Sequence, residues 1–232
     1  MSELRLNYDE VIRRIEDACR RAGRPRESVQ LIAVSKTKPV EMIREMASFG
    51  QTEFGENHVQ EIEEKSQAFP GVHYHMIGHL QTNKVKKVLG KTVLIHSVDS
   101  LHLAEAISKE ALKRNMVQDI LAEVNAGNEE SKYGFSFEET EEAVRQMALL
   151  PGIRVKGLMC VAPNTADPEE NRPLFAKLFQ LSVDISSKKI DNVLMNELSM
   201  GMTNDFETAI EEGATYVRIG TALFGKRNYG SE

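Results

Sequence analysis

Short apolar runs alternate with longer segments of helical periodicity along most of the chain, and this alternation constrains the fold more than any other feature. Eight apolar runs lie at residues 31–35, 52–55, 73–77, 93–96, 120–124, 155–160, 194–198 and 216–219. Segments with apolar residues at helical spacing follow them at 40–49, 59–68, 82–89, 101–114, 137–150, 169–187, 205–212 and from Thr221 onward. Strands that alternate with helices in this way predict βα units joined into a parallel sheet.

The number of units indicates whether this sheet is closed or open. Eight βα units in a chain of 232 residues predict a closed (β/α)8 barrel of the TIM type. An open doubly wound sheet is the alternative, but no glycine-rich dinucleotide fingerprint follows Val34. An extra helix precedes the first strand and is expected to end at Gly23 and Pro25. No linker of low complexity interrupts the pattern, so residues 1–232 are expected to form one domain.

Local signals predict where some helices begin and which faces are solvated. Capping boxes are expected at Asn7 with Glu10, Ser136 with Glu139, and Asn204 with Glu207. The run of charged residues at 61–65 is expected to be a solvated helix face.

Composition and termini limit the class of protein. A net charge of −6 disfavours nonspecific binding of nucleic acids, which requires a basic surface. Charged residues from Glu3 onward leave no room for a signal peptide, and no apolar run is long enough to span a membrane. Cys19 and Cys160 have apolar neighbours, which is typical of reduced core thiols. The chain is therefore expected to be cytoplasmic, without a nucleic-acid or membrane partner.

Lys36 follows the first predicted strand, at the end where barrel active sites lie. Because side chains alternate along a strand, Lys36 shares a face with Ile32 and Val34 and is expected to enter the barrel mouth. Desolvation favours the neutral amine, which can attack an aldehyde to form a Schiff base. A solvated lysine at a strand end is the alternative, and Lys38, just before Pro39, fits that alternative better.

The loops after the seventh and eighth strands predict a phosphate site. Gly201 and Gly220 allow the backbone to approach an anion closely, and Ser199 and Thr221 offer hydroxyl groups. In TIM barrels these two loops, with a short helix start, commonly bind phosphate. Each glycine could instead merely permit a turn.

Arg218 lies just before the second of these loops and is expected to face inward with Tyr216. An inward arginine needs a partner, since its charge cannot be removed. That partner is either Glu197 or Asp205, in a structural ion pair, or an unprotonated acceptor atom of a ligand.

Three closely spaced histidines, at 73, 75 and 79, could be metal ligands. No carboxylate or cysteine joins them at ligand spacing, so we expect no metal site there.

Five segments resemble a known family along nearly the whole chain. The segments at 33–38, 54–57, 75–84, 198–205 and 217–225 read AVSKTK, FGEN, HMIGHLQTNK, LSMGMTND and VRIGTALFG. They are similar to the pyridoxal 5'-phosphate (PLP) homeostasis proteins, which themselves resemble the N-terminal barrel of alanine racemase. The resemblance implies a fold type III PLP barrel with Lys36 as the Schiff-base lysine. It also implies that Ser199, Gly201, Gly220 and Thr221 hold the phosphate.

The same resemblance assigns the remaining contacts and the function. It implies that Arg218 meets the pyridine nitrogen, that Asn57 lies beside the cofactor and that Met200 contributes a backbone contact. The implied function is binding, storage or delivery of PLP, with PLP-dependent apoenzymes as transient partners. The alternatives are an amino-acid racemase of the alanine racemase type and a phosphate-binding barrel enzyme unrelated to PLP.

Two further expectations depend on the racemase comparison. In alanine racemase a C-terminal domain closes the barrel mouth of the other subunit and brings a catalytic tyrosine. This sequence ends at Glu232, shortly after the predicted barrel. We therefore expect a monomer without robust catalytic activity, because the second base and the enclosure are missing.

Overall fold

A computed structural model describes residues 1–127 and 133–225, and within these ranges eight parallel strands close into a barrel in sequence order. The strands are β1 (Gln30–Val34), β2 (Glu53–Glu56), β3 (His73–Met76), β4 (Leu94–Val98), β5 (Gln118–Val124), β6 (Ile153–Cys160), β7 (Val193–Ser199) and β8 (Tyr216–Ile219). The helices are α1 (Glu3–Arg21), α2 (Val40–Ser48), α3 (Val59–Ala68), α4 (Val85–Val88), α5 (Leu101–Lys113), α6 (Phe137–Ala148), α7 (Arg172–Ser187), α8 (Phe206–Glu211) and α9 (Thr221–Phe224).

The barrel closes where the first strand pairs with the last. Ile32 of β1 is in register with Arg218 of β8, and Val34 is in register with Gly55 of β2. Each strand also pairs in parallel with its sequence neighbour. The predicted (β/α)8 barrel with an extra N-terminal helix is therefore confirmed.

Two α-helices begin three residues later than their periodicity predicts. The predicted helix at 82–89 is a 3-10 turn at Thr82–Lys84 followed by the single turn of α4. The predicted helix at 169–187 begins with a 3-10 turn at Pro168–Asn171, and α7 follows with a proline in its first turn. A proline fits this position because the first N–H groups of a helix have no intrahelical partner.

Of the three predicted capping boxes, one is confirmed and two are wrong. Ser136 and Glu139 form the complete box at the start of α6. Helix α1 instead begins after Ser2, whose hydroxyl accepts the N–H of Arg5. Asn7 lies within α1, and its amide donates to the Leu223 carbonyl at 3.0 Å.

The residue before α8 is Asp205, and no side chain caps this helix with a hydrogen bond. The predicted cap at Asn204 is therefore one residue early. The Asp205 carboxylate instead accepts the N–H of Met202 at 2.7 Å, so it shapes the preceding loop.

The core has two parts of different character. Buried apolar side chains from strands and helices form one continuous layer between the sheet and the surrounding helices. Inside the barrel a separate small apolar cluster contains Leu94, Leu121 and Met159, with Tyr216 packed against it. Gly55 also faces inward, where an added Cβ would lie 2.7 Å from Ile32 and 2.8 Å from Ile77. The strands also carry buried polar side chains, among them His75, His96, Ser199 and Arg218.

Cys19 and Cys160 are both buried free thiols, as expected of core cysteines. Within residues 1–127 and 133–225, the helices are too short or too polar for any of them to traverse a bilayer.

Candidate functional site

A cavity of about 530 Å³ opens at the C-terminal ends of the strands. Its walls come from the segments that follow β1, β2, β3, β6, β7 and β8. The lining residues include Lys36, Lys38, Asn57, Ile77, Val161, Asn171, Met202, Asp205, Arg218, Gly220 and Thr221. This end of a TIM barrel is where active sites are built, so the cavity is the candidate site.

Lys36 lies on this cavity directly after β1, in a tight turn. The N–H of Lys38 donates to the Ser35 carbonyl at 3.0 Å and closes the turn around Lys36. Thr37 has φ of 63°, a left-handed conformation that β-branched residues rarely adopt. Its N–H donates to the Glu61 carboxylate at 2.6 Å. The turn is thus fixed from outside the barrel, which aims Lys36 at the mouth.

Lys38 differs from the expectation of a solvated lysine. It is half-buried, and it also lines the cavity. Its Nζ donates to the Phe224 carbonyl at 3.0 Å, across the junction between the first and last units of the barrel. Only the tertiary closure of the barrel brings these two segments together.

A buried ion-pair network supports the turn that carries Lys36. The Lys65 amine donates to the Glu56 and Glu61 carboxylates and to the Ser35 carbonyl, each at 2.8 Å. The Ser35 hydroxyl donates to Glu56 at 2.5 Å. Burial raises the pKa of Glu56, and the Lys65 ammonium offsets part of this rise.

The prediction of a solvated face at 61–65 is therefore wrong for Lys65, which is 7% exposed. The i,i+4 spacing of Glu61 and Lys65 is the same on a solvated and on a buried helix face. The burial of Lys65 depends on its contact with Glu56, the last residue of the neighbouring strand β2.

Arg218 is buried and borders the floor of the cavity. It donates from Nη1 to the Ser199 hydroxyl at 2.6 Å and from Nη2 to the Cys160 carbonyl at 2.8 Å. Of the two acidic partners considered from the sequence, Glu197 pairs with Lys156 at 3.1 Å. Asp205 accepts the Asn171 amide at 2.9 Å. The structural ion pair is therefore not the arrangement found, and both recorded partners of Arg218 are neutral oxygens.

The predicted site residues fall into two groups. Lys36, Asn57, Arg218, Gly220 and Thr221 border the cavity together. Asn57 can approach closely because Gly78 lies behind it, where an added Cβ would lie 2.6 Å from the Asn57 carbonyl oxygen.

Ser199, Met200 and Gly201 stand behind the cavity wall. Ser199 and Met200 are fully buried, and the Met200 N–H donates to the Tyr216 carbonyl at 3.1 Å. The Gly201 carbonyl accepts the N–H of Arg218 at 3.0 Å. Gly201 has φ of 89°, and an added Cβ would lie 2.6 Å from the Ala209 Cβ, so glycine is required here.

The loop after β7 is held by Asn171, which the sequence analysis did not single out, together with Asp205, which it considered only as a partner of Arg218. The Asn171 amide donates to Asp205 at 2.9 Å and to the Pro163 carbonyl at 3.0 Å. Asp205 in turn accepts the N–H of Met202. This bridge joins the loops after β6 and β7, and no local pattern indicates it because the two side chains are far apart in sequence.

His73, His75 and His79 each form a hydrogen bond with a carboxylate. His73 and His75 both contact the Glu53 carboxylate, at 2.7 and 2.8 Å. His79 contacts Asp99 at 2.8 Å and stacks on Tyr133. In the parts of the chain that the structure describes, no group of three or more His, Cys, Asp or Glu side chains is arranged to hold a metal ion.

Electrostatics distinguish two acidic groups inside the barrel. Burial, reinforced by the charge of Asp99, raises the pKa of Glu123 to about 7, although Arg218 partly opposes the rise. Burial alone would also raise the pKa of Glu53, but hydrogen bonds with His75 and His73 outweigh it and lower that pKa to about 2. Near neutral pH, Glu53 is therefore an anion and Glu123 is close to its midpoint.

Comparisons with known proteins identify the family of this chain. The family model of the alanine racemase N-terminal domain matches residues 6–228. The pyridoxal phosphate homeostasis protein of Aquifex aeolicus (strain VF5) is 49% identical over 221 residues, 94% of this chain and 96% of that protein. The protein of the same name from Escherichia coli (strain K12) is 36% identical over 234 residues, 99% of each chain.

Solved structures also resemble this chain in sequence and in fold. PipY of Synechococcus elongatus PCC7942, solved with PLP bound, is 34% identical with a TM-score of 0.79 and covers 93% of this chain and 100% of its own. Alanine racemase of Clostridium difficile 630 has a TM-score of 0.79 at 14% identity, which shows a shared fold alone. The match covers 97% of this chain but 57% of that enzyme. The chain therefore belongs to the family of the alanine racemase N-terminal domain and, within it, to the pyridoxal phosphate homeostasis proteins.

Proposed function

We propose that this chain binds PLP at the barrel mouth and serves intracellular PLP homeostasis by binding, storing or delivering the cofactor. The observation that carries the proposal is the convergence of Lys36, Arg218 and Thr221 on one cavity at the C-terminal end of the barrel. Relatives of matching length bear the homeostasis name, and PipY, of similar sequence, has been solved with PLP bound.

The cavity suits this cofactor in size and chemistry. Its volume of about 530 Å³ lies within the range that holds small organic ligands. Lys36 offers an amine, Arg218 offers fixed N–H donors, and Thr221 offers a hydroxyl at the start of α9. Bound PLP would supply an aldehyde that condenses with an amine, with loss of water.

The proposed roles follow from the position of each residue. Lys36 provides the amine for covalent attachment, and Asn57 lies beside the ring. Arg218 donates a hydrogen bond to the pyridine nitrogen and keeps it unprotonated, since a guanidinium does not release its proton. Gly220 and Thr221 contact the phosphate. For Ser199, Gly201 and Met200 the resemblance implies contacts with the cofactor. We propose instead that these three residues support the site from behind, because their hydrogen bonds are with Arg218 and Tyr216.

Handling of the cofactor, rather than robust catalysis, fits this site better. Lys36 and Asn57 are half-buried and Thr221 is exposed, so solvent reaches the cavity and the cofactor can exchange. Amino-acid chemistry on PLP gains from a pocket that excludes water. An unprotonated pyridine nitrogen also makes the cofactor a weaker electron sink. The proposal also includes transient contact with PLP-dependent apoenzymes. It places the protein in the cytoplasm, where the buried thiols Cys19 and Cys160 stay reduced.

Lys36 can be tested against Lys38, a second lysine on the same cavity. Titration with PLP should give the absorption band of a lysine adduct in the wild type and in Lys38→Ala, and should fail in Lys36→Ala. Borohydride reduction and peptide mapping should then place the pyridoxyl group on Lys36. A main adduct on Lys38 would contradict the assignment, whereas minor adducts on surface lysines are expected of any aldehyde.

Oligomeric state and racemase activity provide a separate test. We expect light scattering at micromolar concentration to give a mass near the 26.1 kDa of one chain. Chiral analysis after long incubation of the PLP-loaded protein with L-alanine should show no enzyme-dependent D-alanine. A stable dimer with measurable turnover would favour the racemase over the homeostasis function.

A further inference from the structure

A line of hydrogen-bonded polar side chains crosses the barrel interior from β2 to β8. The Glu53 carboxylate contacts His75 Nε2 at 2.8 Å, and His75 Nδ1 contacts His96 Nε2 at 3.0 Å. His96 Nδ1 contacts the Ser199 hydroxyl at 2.8 Å, and that hydroxyl accepts from Arg218 at 2.6 Å. Five strands therefore contribute one group each to a chain that ends on an arginine at the floor of the cavity.

The middle of this chain is inaccessible to water. His75 is 1% exposed, and His96 and Ser199 are 0% exposed. The Tyr216 ring packs against both imidazoles, with centroid distances of 5.8 and 5.6 Å. Buried polar groups without a partner are costly, so each contact in the chain must pair one donor with one acceptor.

When both rings are neutral, only one direction of these bonds pairs a donor with an acceptor at every contact, and the carboxylate end shows which direction it is. Ionised Glu53 can only accept, so His75 Nε2 must donate to it. In a neutral imidazole the other nitrogen then accepts, so His75 Nδ1 receives the hydrogen from His96 Nε2. His96 Nδ1 is left as an acceptor, and the Ser199 hydroxyl must donate to it.

The arginine end is compatible with the same direction. Arg218 can only donate, and Ser199 accepts from it while donating its own hydrogen to His96. Burial, assisted by the charge of Arg218, lowers the pKa of His96 well below its ordinary value, which keeps this ring neutral. With both rings neutral, all four bonds run from the cationic guanidinium to the anionic carboxylate.

We infer that Glu53, His75 and His96 are positioning residues that act through Ser199 to hold the Arg218 guanidinium in place for the pyridine nitrogen of the cofactor. The role given to these residues rests on the proposed PLP function, but the hydrogen bonds from Glu53 to Arg218 are present without the cofactor. It also gives Ser199 a defined role. Its hydroxyl hydrogen is committed to His96, so Ser199 supports the site through Arg218 instead of donating that hydrogen to a phosphate.

Histidine NMR tests the direction of the chain in the cofactor-free protein. The protein, labelled with 15N in its histidines, should show His75 and His96 as neutral rings protonated at Nε2 and unprotonated at Nδ1. His75→Gln and His96→Gln assign the two resonances. In Glu53→Gln the terminal amide can donate as well as accept, so the two rings should lose their single tautomer. A cationic ring, or an Nδ1-protonated His96 in the wild type, would overturn the inference.

Cofactor affinity tests the positioning role. A guanidinium that is held less firmly should raise the PLP dissociation constant of His96→Gln and Ser199→Ala by about 2- to 10-fold, which is less than the effect of removing the guanidinium. Arg218→Ala, which removes a charged donor, should raise it by roughly one to two orders of magnitude. His102→Gln, an exposed histidine outside the chain, is the matched control and should bind as the wild type does. Circular dichroism verifies that each variant is folded.

The two readouts separate the possible failures. If the wild type does not bind PLP, the proposed function is wrong, and the histidine tautomers still test the direction of the hydrogen bonds between Arg218 and Glu53. If PLP binds and the tautomers are as expected, but folded His96→Gln and Ser199→Ala bind with unchanged affinity, the positioning role is wrong and the proposed function stands.

Discussion

At the residue scale, the most informative group outside the proposed contacts is Glu123, which follows the inward pattern of β5. Its pKa of about 7 lies above the ordinary 4.5, because burial and Asp99 disfavour the anion. A raised carboxyl pKa means that the folded protein binds the proton more tightly than the unfolded chain. The wild type should therefore lose stability as the pH rises through the interval from about 4.5 to about 7.

Glu123→Gln, which is neutral at every pH, should remove this penalty. We expect the variant to be more stable than the wild type at pH 8, by up to about 3 kcal/mol, and to differ little from it near pH 4.5. Denaturant unfolding at the two pH values measures the difference. Glu105→Gln, on an exposed position of α5, is the control and should show no such dependence. Equal stability of Glu123→Gln and the wild type at pH 8 would contradict the assignment.

At the scale of elements, the Lys65 network joins α3 to the ends of β1 and β2. Lys65→Met would leave the Glu56 carboxylate buried without its cation, and such changes typically cost about 3–5 kcal/mol. Lys87→Met is a matched control, since Lys87 contacts Glu63 at the same 2.8 Å on the surface. Exposed pairs contribute about 0–1 kcal/mol, so the control should melt near the wild type.

The pH dependence of Lys65→Met adds a second measurement. Without Lys65 the pKa of Glu56 should rise further, since the main factor opposing burial is gone. The melting temperature of Lys65→Met should therefore fall further below that of the wild type at pH 8 than at pH 5. A deficit that equals that of Lys87→Met at both pH values would show that the buried pair contributes no more than a surface pair.

At the scale of the whole molecule, the two ends of the described chain are packed together. Helix α1 contacts α8 and α9, with Arg14 paired to Glu207 at 2.8 Å and Asn7 bonded to the Leu223 carbonyl. Strand β1 also closes the barrel on β8. We therefore propose a single domain and expect one thermal transition that coincides in far-UV and tyrosine near-UV circular dichroism. Two separated transitions would indicate independent units.

The sequence by itself determined the order of elements, the barrel and much of the cavity lining. Alternation of apolar runs with helical periodicity is a local signal, and eight repeats allow few other folds. The ends of β1 and β8 are also local, so Lys36, Arg218, Gly220 and Thr221 could be predicted at the mouth. The capping box of Ser136 and Glu139 could also be predicted, because the two residues lie three positions apart.

Only the tertiary structure decided which polar groups meet inside the barrel. Asn7 and Asn204 matched a local capping pattern, yet Asn7 contacts α9 and Asp205 turns toward the loop before it. Lys65 matched a solvated helix face, yet a carboxylate on β2 makes its burial tolerable. The pairing of His96 with Ser199 spans 103 positions of sequence. Burial and the distance between charges determine the protonation and hydrogen bonding of such groups, and both arise only when distant strands close into one barrel.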